Sequence, residues 1–305
     1  MKLAAIDIGS NSLKLVVVQA ENSDAFTVLA QDREVVRLGQ ETLVNGHINN
    51  AATLRATTCL KRFRDVAEAN GAEKIAAIAT ATLREANNAD EFIRTVEAET
   101  GLRIEVLSGL EEARLIGLAA SQGCTEKGVT GLNIDIGGGS TELSIFRDGE
   151  PLKLLSLKLG AVGLTDRFIS SDPPAPDELD ALRSTIRSSL ESHARELREQ
   201  GWDQATATSG TALAIGAALN QTAPGVASTV VLAELQRLNA SISTITLAER
   251  RNVAGLTPQR ADIIVAGGLV LEETMSALGI ESLRICDWSL REGVILDRLR
   301  EWERS

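Results

Sequence analysis

The stretch that decides the fold is Asp7-Ile8-Gly9-Ser10-Asn11-Ser12, which returns in altered form as Asp135-Ile136-Gly137-Gly138-Gly139-Ser140-Thr141-Glu142. In each copy an apolar strand ends in Asp, and a tight glycine turn follows before the chain returns as a second strand. The two aspartates are 135 − 7 = 128 residues apart. One such turn is typical of an ordinary hairpin. Two copies at matching places in two similar halves instead favour phosphate binding by clustered backbone N–H groups.

Outward from these turns, hydrophobic periodicity predicts an α/β protein in two similar halves. The first half has expected strands over 2–8, 12–20, 26–37, 74–79 and 103–107, and helices over 49–70, 88–100 and 109–122. After a polar stretch, the second half has expected strands over 130–136, 140–147, 151–159, 204–208 and 282–286, and helices over 161–170 and 176–200.

Chain length supports this division, because at 305 residues single cores tend to split into two domains. We place the domains at 1–126 and 127–305. A C-terminal helix over 289–305 is a candidate to pack back on the first domain, which the sequence itself does not show.

Composition excludes several classes of function. The chain carries 31 Lys+Arg against 42 Asp+Glu, a net charge of −11, which argues against a general binder of nucleic acid or of anionic membranes. No apolar run reaches the roughly 18 residues of a membrane helix. The N-terminus enters a strand-like segment directly, without the apolar core of a signal peptide. The expected location is the cytoplasm.

The cysteines and histidines offer no obvious site. Cys59, Cys124 and Cys286 are odd in number, far apart and without CxxC spacing, so neither a disulfide framework nor a zinc cluster is expected. His47 and His193 have no partner that would form a metal site or a catalytic triad, and both are expected at the surface.

A third candidate turn is Ser209-Gly210-Thr211, which follows a predicted strand and opens a predicted helix. In isolation, Ser209 or Thr211 is most simply a helix N-cap. The same position directs helix N–H groups at an anion, which makes the segment a third candidate phosphate contact.

Carboxylates and arginines follow two other strands. Glu111 and Glu112 begin a helix, where acids ordinarily serve the helix dipole, yet one of them could project into the cleft and orient or deprotonate a water. The residues alone do not choose between the two. Arg84 suits a terminal phosphoryl group, and Arg37 is a weaker candidate. The segments Arg260-Ala261-Asp262 and Arg291-Glu292-Gly293 are equally consistent with ion pairs between domains.

Taken in order, these motifs resemble the exopolyphosphatase/guanosine pentaphosphate phosphohydrolase (Ppx/GppA) family over essentially the whole chain. The segments that carry the resemblance are 7–12, 81–84, 108–116, 135–142, 209–211, 260–262 and 290–293. The resemblance implies two ribonuclease-H-like domains of the actin, Hsc70 and sugar-kinase superfold, each βββαβαβα, around an interdomain cleft. It also implies Mg²⁺-dependent removal of the terminal phosphate of polyphosphate, or of the 5′ γ-phosphate of pppGpp, with Mn²⁺ as an alternative metal. A homodimer is expected from the resemblance alone.

Carried over residue by residue, the resemblance makes Glu112 the base that activates water. It makes Asp135 and Glu142 metal-site residues and Asp7 a further candidate. The implied phosphate contacts are Ser10, Asn11, Arg84, Gly137, Gly138, Ser140, Ser209, Gly210 and Thr211. The chain ends where longer family members continue into further helical domains, so it resembles the short, two-domain form.

The expected chemistry is in-line attack of water on the terminal phosphoryl group, a reaction catalysed mainly by positioning and electrostatics. Three other readings stay open: a kinase of the same superfold, a non-catalytic sensor of polyphosphate or guanosine penta- and tetraphosphate, and an actin-like filament protein. No residue of the sequence decides between polyphosphate and pppGpp.

Overall fold

The structure is a computed structural model that describes residues 1–20, 22, 25–221 and 228–303. The first half contains β1 (Lys2–Ile8), β2 (Leu13–Ala20), β3 (Phe26–Glu34), α1 (Thr42–Asn45), α2 (Asn50–Ala69), β4 (Lys74–Ala79), α3 (Ala81–Glu85), α4 (Ala89–Thr100), β5 (Ile104–Val106) and α5 (Gly109–Cys124).

The second half repeats this order with insertions near its end. It contains β6 (Thr130–Ile136), β7 (Thr141–Arg147), β8 (Glu150–Leu157), α6 (Ala161–Phe168), α7 (Pro176–Gln200), β9 (Gln204–Thr208), α8 (Ser209–Asn220), β10 (Thr229–Val231), α9 (Leu232–Ser243), α10 (Leu247–Arg250), a 3₁₀ turn (Pro258–Arg260), α11 (Ile264–Leu278), β11 (Ser282–Ile285) and α12 (Leu290–Glu303).

The first sheet has the strand order β3-β2-β1-β4-β5. Its central strand, β1, runs antiparallel to β2 and parallel to β4. Six of the seven residues of β1 are buried, as expected for a strand covered on both faces. The carboxyl end of β1 therefore delivers Asp7 and the first glycine turn to the edge of the sheet where ligands bind in such folds.

The second sheet has the order β10-β11-β9-β6-β7-β8. Without β10, it reproduces the first sheet, since β6 is antiparallel to β7 and parallel to β9. The predicted two-halved ribonuclease-H-like fold is confirmed by this topology. The three-residue edge strand β10, antiparallel to β11, is not among the predicted strands. A strand this short carries too little sequence pattern to be recognised.

Strand β3 ends at Glu34 rather than at residue 37 as predicted. Beyond it the chain turns back toward the first glycine turn, where the Gly39 N–H donates to Ser10 O at 2.7 Å. Arg37 takes a left-handed backbone with φ of 56°, which a continuing strand does not allow.

Helix α12 packs on the first half of the molecule. Its buried residues Leu290, Val294, Ile295 and Leu299 form one apolar cluster with β1, β2 and α5. The domain boundary placed near residue 126 stays a prediction.

The expectation about cysteines was wrong, because Cys124 and Cys286 form a disulfide across 162 positions of sequence. Sequence spacing could not reveal it, since the folding of two distant segments brings the end of α5 beside the end of β11. Cys59 is free and buried. His47 is exposed and His193 is half-buried on α7. Within the described ranges, every helix is too short or too polar to cross a membrane.

Candidate active site

A narrow cleft lies between the two halves where the glycine turns meet, and it encloses about 60 Å³. Its wall combines the two glycine turns and the ends of β1 and β6 with residues of β2 and α5, the residues that follow β4, and the start of α8. The polar side chains of its lining belong to Asp7, Ser10, Asn11, Ser12, Lys14, Thr80, Glu112, Asp135, Ser140, Ser209, Thr211, Arg260 and Ser289.

The two glycine turns approach each other so closely that side chains would not fit. A Cβ on Gly138 would stand 2.8 Å from Ser10 Cβ and 3.1 Å from the Asn11 backbone nitrogen. The second turn is closed from behind by Gly160, where a Cβ would stand 2.2 Å from the carbonyl carbon of Gly139. In the described chain, the N–H groups of Gly138 and Gly139 donate to no other backbone group. They remain available to an anion in the cleft.

Side chains of the predicted phosphate contacts also face this space. Asn11 lines the cleft, is buried, and its Nδ2 has no hydrogen-bond partner. A buried amide donor without a partner is costly, which indicates a site that a ligand completes. Ser10 Oγ accepts a 2.7 Å hydrogen bond from Thr82, and Ser140 Oγ lies 3.4 Å from an Arg84 nitrogen.

Four carboxylates, those of Asp7, Glu112, Asp135 and Glu142, are buried around the cleft. Burial raises the pKa of Glu112 to about 7 against the effect of Arg84, and the charges of Asp7 and Asp135 raise it further. Burial also raises the pKa of Asp135, although Thr208 and Ser289 donate to it at 2.5 and 2.9 Å. The pKa of Glu142 is raised well above its usual range by burial and by its carboxylate neighbours.

Two cations partly balance these acids. Arg84 binds Glu112 Oε2 at 2.7 Å and the Leu107 carbonyl at 3.0 Å, which fixes the direction of its guanidinium. Lys14 lies 3.3 Å from Asp7. Even with the buried Arg260, which also lines the cleft, the four carboxylates outnumber the cations around them, so a further cation would balance the site.

The donor set fits a hard divalent cation. Such ions prefer carboxylate oxygens, and Glu142, only 1% exposed, has an Oε2 atom without a hydrogen-bond partner. Asp135 and Glu142 are directly paired across β6 and β7, so both side chains belong to adjacent positions of one ladder.

The structure separates the two adjacent glutamates that the residue pattern left open. Ser108 caps α5 by accepting from the Glu111 N–H at 3.1 Å. From there, Glu111 turns outward with its side chain 39% exposed and pairs with Arg114 at 2.7 Å. Glu112 turns inward, is 7% exposed and lines the cleft. Of the two, only Glu112 can meet a water in the cleft.

The interpretation of Ser209 or Thr211 as an N-cap was wrong. Thr208 occupies the N-cap position of α8, without a capping side-chain bond, while Ser209 donates its hydroxyl to the Ile136 carbonyl at 2.7 Å. Ser209 has φ of 80°, a strained backbone conformation of the kind found at functional sites. Because no side chain caps α8, the N–H groups of its first turn are free to face an anion.

Arg260 is the main site residue that the residue pattern did not assign to the cleft. It is 6% exposed, forms no ion pair within the described ranges, and has a buried Nε without a partner. Its guanidinium lies over the start of α8, where a Cβ on Gly210 would meet it at 1.8 Å. Burial and the charge of Arg33 lower the pKa of Arg260 to about 9.

The segment around Arg260 does form an ion pair with the first half, but through Asp262 and not through Arg260. Asp262 binds Arg37 of the first half. Arg37, the weaker phosphate candidate, thus joins the two halves and does not line the cleft. Lys14 and Ser289 line it but carried no recognisable signal in the sequence.

Comparisons with known proteins agree with this geometry. The sequence model described as the Ppx/GppA phosphatase family matches residues 15–301. Exopolyphosphatase 1 of Mycobacterium leprae is 37% identical over 98% of this chain and 90% of its own. Exopolyphosphatase 1 of Mycobacterium tuberculosis is 36% identical over 98% of this chain and 88% of its own.

Solved structures are similar over nearly the full length. The crystal structure of an exopolyphosphatase from Cytophaga hutchinsonii has a TM-score of 0.89 and 26% identity, covering 99% of this chain and 98% of that one. A Ppx/GppA family member from Aquifex aeolicus has a TM-score of 0.82 and 25% identity, covering 100% and 99%.

Proposed function

Because the chain belongs to the Ppx/GppA phosphatase family, we propose that it is an exopolyphosphatase that releases orthophosphate from the end of inorganic polyphosphate, with Mg²⁺ as its metal. The observation that carries the proposal is the pairing of one inward carboxylate, Glu112, with two facing glycine turns in a cleft of about 60 Å³. That space suits a terminal phosphoryl group and a water.

The chain's own residues divide the work. Backbone N–H groups of Gly138 and Gly139, the amide of Asn11 and the first turn of α8 hold the phosphoryl oxygens. Arg84 stands between the base and Ser140, where its charge offsets negative charge that develops on the transferred group. Arg260 provides a further buried cation in the lining of the cleft.

Glu112 orients the attacking water and accepts its proton. Its raised pKa, about 7, is suited to a base working near neutral pH. Asp135 and Glu142, with Asp7 as a further ligand, would hold the divalent cation, which when bound would offset charge on the phosphate oxygens. Neither a serine nor a cysteine nucleophile is required, because attack by water needs only positioning and electrostatic stabilisation.

A comparison of substrates tests the proposal. Phosphate release is measured with long-chain polyphosphate, short-chain polyphosphate and pppGpp, each with Mg²⁺, with Mn²⁺ and after chelation, and without any phosphate acceptor. We expect metal-dependent release from polyphosphate, with short chains preferred. Release only when an acceptor is added would identify a kinase, faster release from pppGpp would identify the nucleotide phosphatase, and tight binding without release would identify a sensor.

The homodimer and the cytoplasmic location stay predictions. Sedimentation equilibrium at several protein concentrations tests the first. The Cys124–Cys286 disulfide counts against the second, since disulfides are uncommon in reducing compartments.

A further inference from the structure

A second cavity, of about 370 Å³, adjoins the catalytic cleft. Five residues line both spaces, so the two are continuous: Lys14, Ser209, Gly210, Arg260 and Ser289. The cavity extends from there along the β2–β3 hairpin and the segment before α12, where Gln31, Asp32, Arg33, Asp287 and Arg291 complete its wall.

The charge of this cavity is opposite to that of the whole chain. Four basic side chains, of Lys14, Arg33, Arg260 and Arg291, stand against the two acids Asp32 and Asp287. Asp32 is already bound by Arg62 at 2.7 Å outside the cavity. A cationic surface in a protein of net charge −11 is a local arrangement that net composition does not explain.

Two of the three arginines of the cavity lack the ion-pair partners that such groups usually have. In the described part of the chain, the guanidinium groups of Arg33 and Arg260 form no ion pair. Partial burial and the charge of Arg291 lower the pKa of Arg33. Arg291 is held in place by the Leu15 carbonyl at 3.1 Å and by Glu292 at 3.2 Å. Cations held this close together repel one another, so together they form a site for a multiply charged anion.

We propose that this cavity, walled by Arg33 and Arg291, binds the phosphate groups of a linear polyphosphate that follow the one in the catalytic cleft. The proposal rests on the proposed function and makes Arg33 a determinant of chain length. The cleft of about 60 Å³ holds only the chain end, so the remainder must leave through a connected opening. The cationic cavity offers that path.

Binding to a catalytically silent protein tests this separately from activity. In the Glu112→Gln background, the affinity for orthophosphate, which can fill only the cleft, and for long-chain polyphosphate is measured by calorimetry, with and without Arg33→Ala. Loss of one charge-assisted contact should weaken long-chain binding about tenfold and leave orthophosphate binding unchanged. Arg103→Ala, which removes an equal charge from an exposed site outside both spaces, is the control.

The outcomes are distinct. Equal weakening of both ligands, or no weakening of either, would overturn the subsite. Weaker binding of pppGpp with unchanged binding of long polyphosphate would assign the cavity to a nucleotide and also overturn it. If long-chain polyphosphate did not bind the silent protein at all while pppGpp did, the proposed function itself would fail.

A different observation carries a second inference, on the disulfide. In the described residues, the chain passes between the two sheets at two places, between α5 and β6 and between β11 and α12. Cys124 is the last residue of α5, and Cys286 directly follows β11. The bond therefore joins the two segments through which the chain passes from one sheet to the other.

The segment beside this bond reaches the catalytic cleft. Trp288 stacks on Phe26 of the first half with ring centroids 5.2 Å apart, and it covers Gly123. The next residue, Ser289, donates to Asp135 at 2.9 Å. Cys124 also ends the helix whose first turn carries Glu112.

We infer that the Cys124–Cys286 bond is a redox-controlled cross-link between the two segments that connect the halves. A dithiol reductant attacks the half-exposed Cys124 sulfur, Cys286 leaves as a thiolate and takes a proton, and the reductant becomes the disulfide after its second thiol attacks. Two electrons pass to the protein. Without the bond, the two connecting segments move independently, and the loop that carries Ser289 is no longer covalently linked to the end of α5.

Hydrogen exchange measured by mass spectrometry tests whether the disulfide cross-links these two segments in this way. Reduction by dithiothreitol should remove amide protection from 285–293 and from 120–130 and should change the rate of phosphate release. Cys124→Ser should show the reduced behaviour in either buffer, whereas Cys59→Ser, which keeps the bond, should respond like the wild type. Unchanged exchange and activity, in a sample where thiol titration proves reduction, would overturn the inference.

Discussion

Replacement of Glu112 by Gln should nearly abolish phosphate release while the fold persists. Gln keeps the size and the hydrogen-bonding oxygen of Glu but cannot accept a proton from water. Loss of a positioned general base costs on the order of 10²–10⁴-fold in rate. In barrier height, this is about 3–5 kcal/mol.

The fold should tolerate the change because this carboxylate is destabilising when charged. Since its pKa is raised to about 7, the free energy of unfolding that it contributes declines as pH rises from its usual value through 7. In the metal-free protein at pH 8, a neutral Gln should therefore cost nothing and could add up to about 3 kcal/mol. Arg84 keeps its bond to the Leu107 carbonyl.

Glu111→Gln is the matched control. It removes the same charge from the same helical turn, but its side chain is half-exposed and bound to Arg114. Initial rates of orthophosphate release from long-chain polyphosphate with Mg²⁺ are measured for the wild type and both variants, alongside thermal unfolding. We expect the Glu111 variant to retain the wild-type rate. Near-normal release by Glu112→Gln together with loss in Glu111→Gln would refute the assignment.

Three more predictions concern the metal, the glycine turns and the disulfide. Mg²⁺ should displace protons and bind more tightly as pH rises, because raised pKa values leave Glu112, Asp135 and Glu142 partly protonated. Calorimetry in buffers of different ionisation enthalpy measures the number of protons released. Binding of Mg²⁺ without proton release would contradict this prediction. Gly160→Ala should displace the second turn, which lowers the free energy of unfolding by about 1–3 kcal/mol and abolishes activity. Gly163→Ala, whose Cβ would lie 3.4 Å or more from its neighbours, should have neither effect. Urea unfolding measures the stability of both variants, and phosphate release measures their activity. Reduction should lower the unfolding free energy by at most about 5 kcal/mol, the chain entropy of a bond across 162 positions, and an unchanged urea midpoint would contradict that.

The two glycine turns explain why the fold was predictable. Each follows a seven-residue strand with six buried residues, and strand, turn and return strand are encoded within one continuous stretch, 2–20 in the first half and 130–147 in the second. The similar order of elements after each turn then implies similar sheets. Strand β10 and the end of β3 were missed or misplaced, because their limits depend on what the chain meets in space.

The site was less predictable, since its composition depends on docking between elements. Glu111 and Glu112 differ by one step on α5, and only the packing of that helix decides which one faces inward. The segment that contains Arg260 was equally consistent with an ion pair between domains. Its neighbour Asp262 forms that pair with Arg37 of the first half, and Arg260 has no ion-pair partner within the described residues, which no local pattern encodes.

A polyanionic substrate in an acidic protein raises the question of how the cleft attracts it. Four buried acids lie around the cleft, and burial first, then neighbouring carboxylates, raises the pKa of Glu142. A divalent cation held there would offset their negative charge. Lys14 pairs with Asp7 at 3.3 Å, whereas Arg260, which also lines the cleft, forms no ion pair within the described residues. We therefore expect the metal to strengthen substrate binding as well as the reaction, because without it the acids repel the phosphate groups.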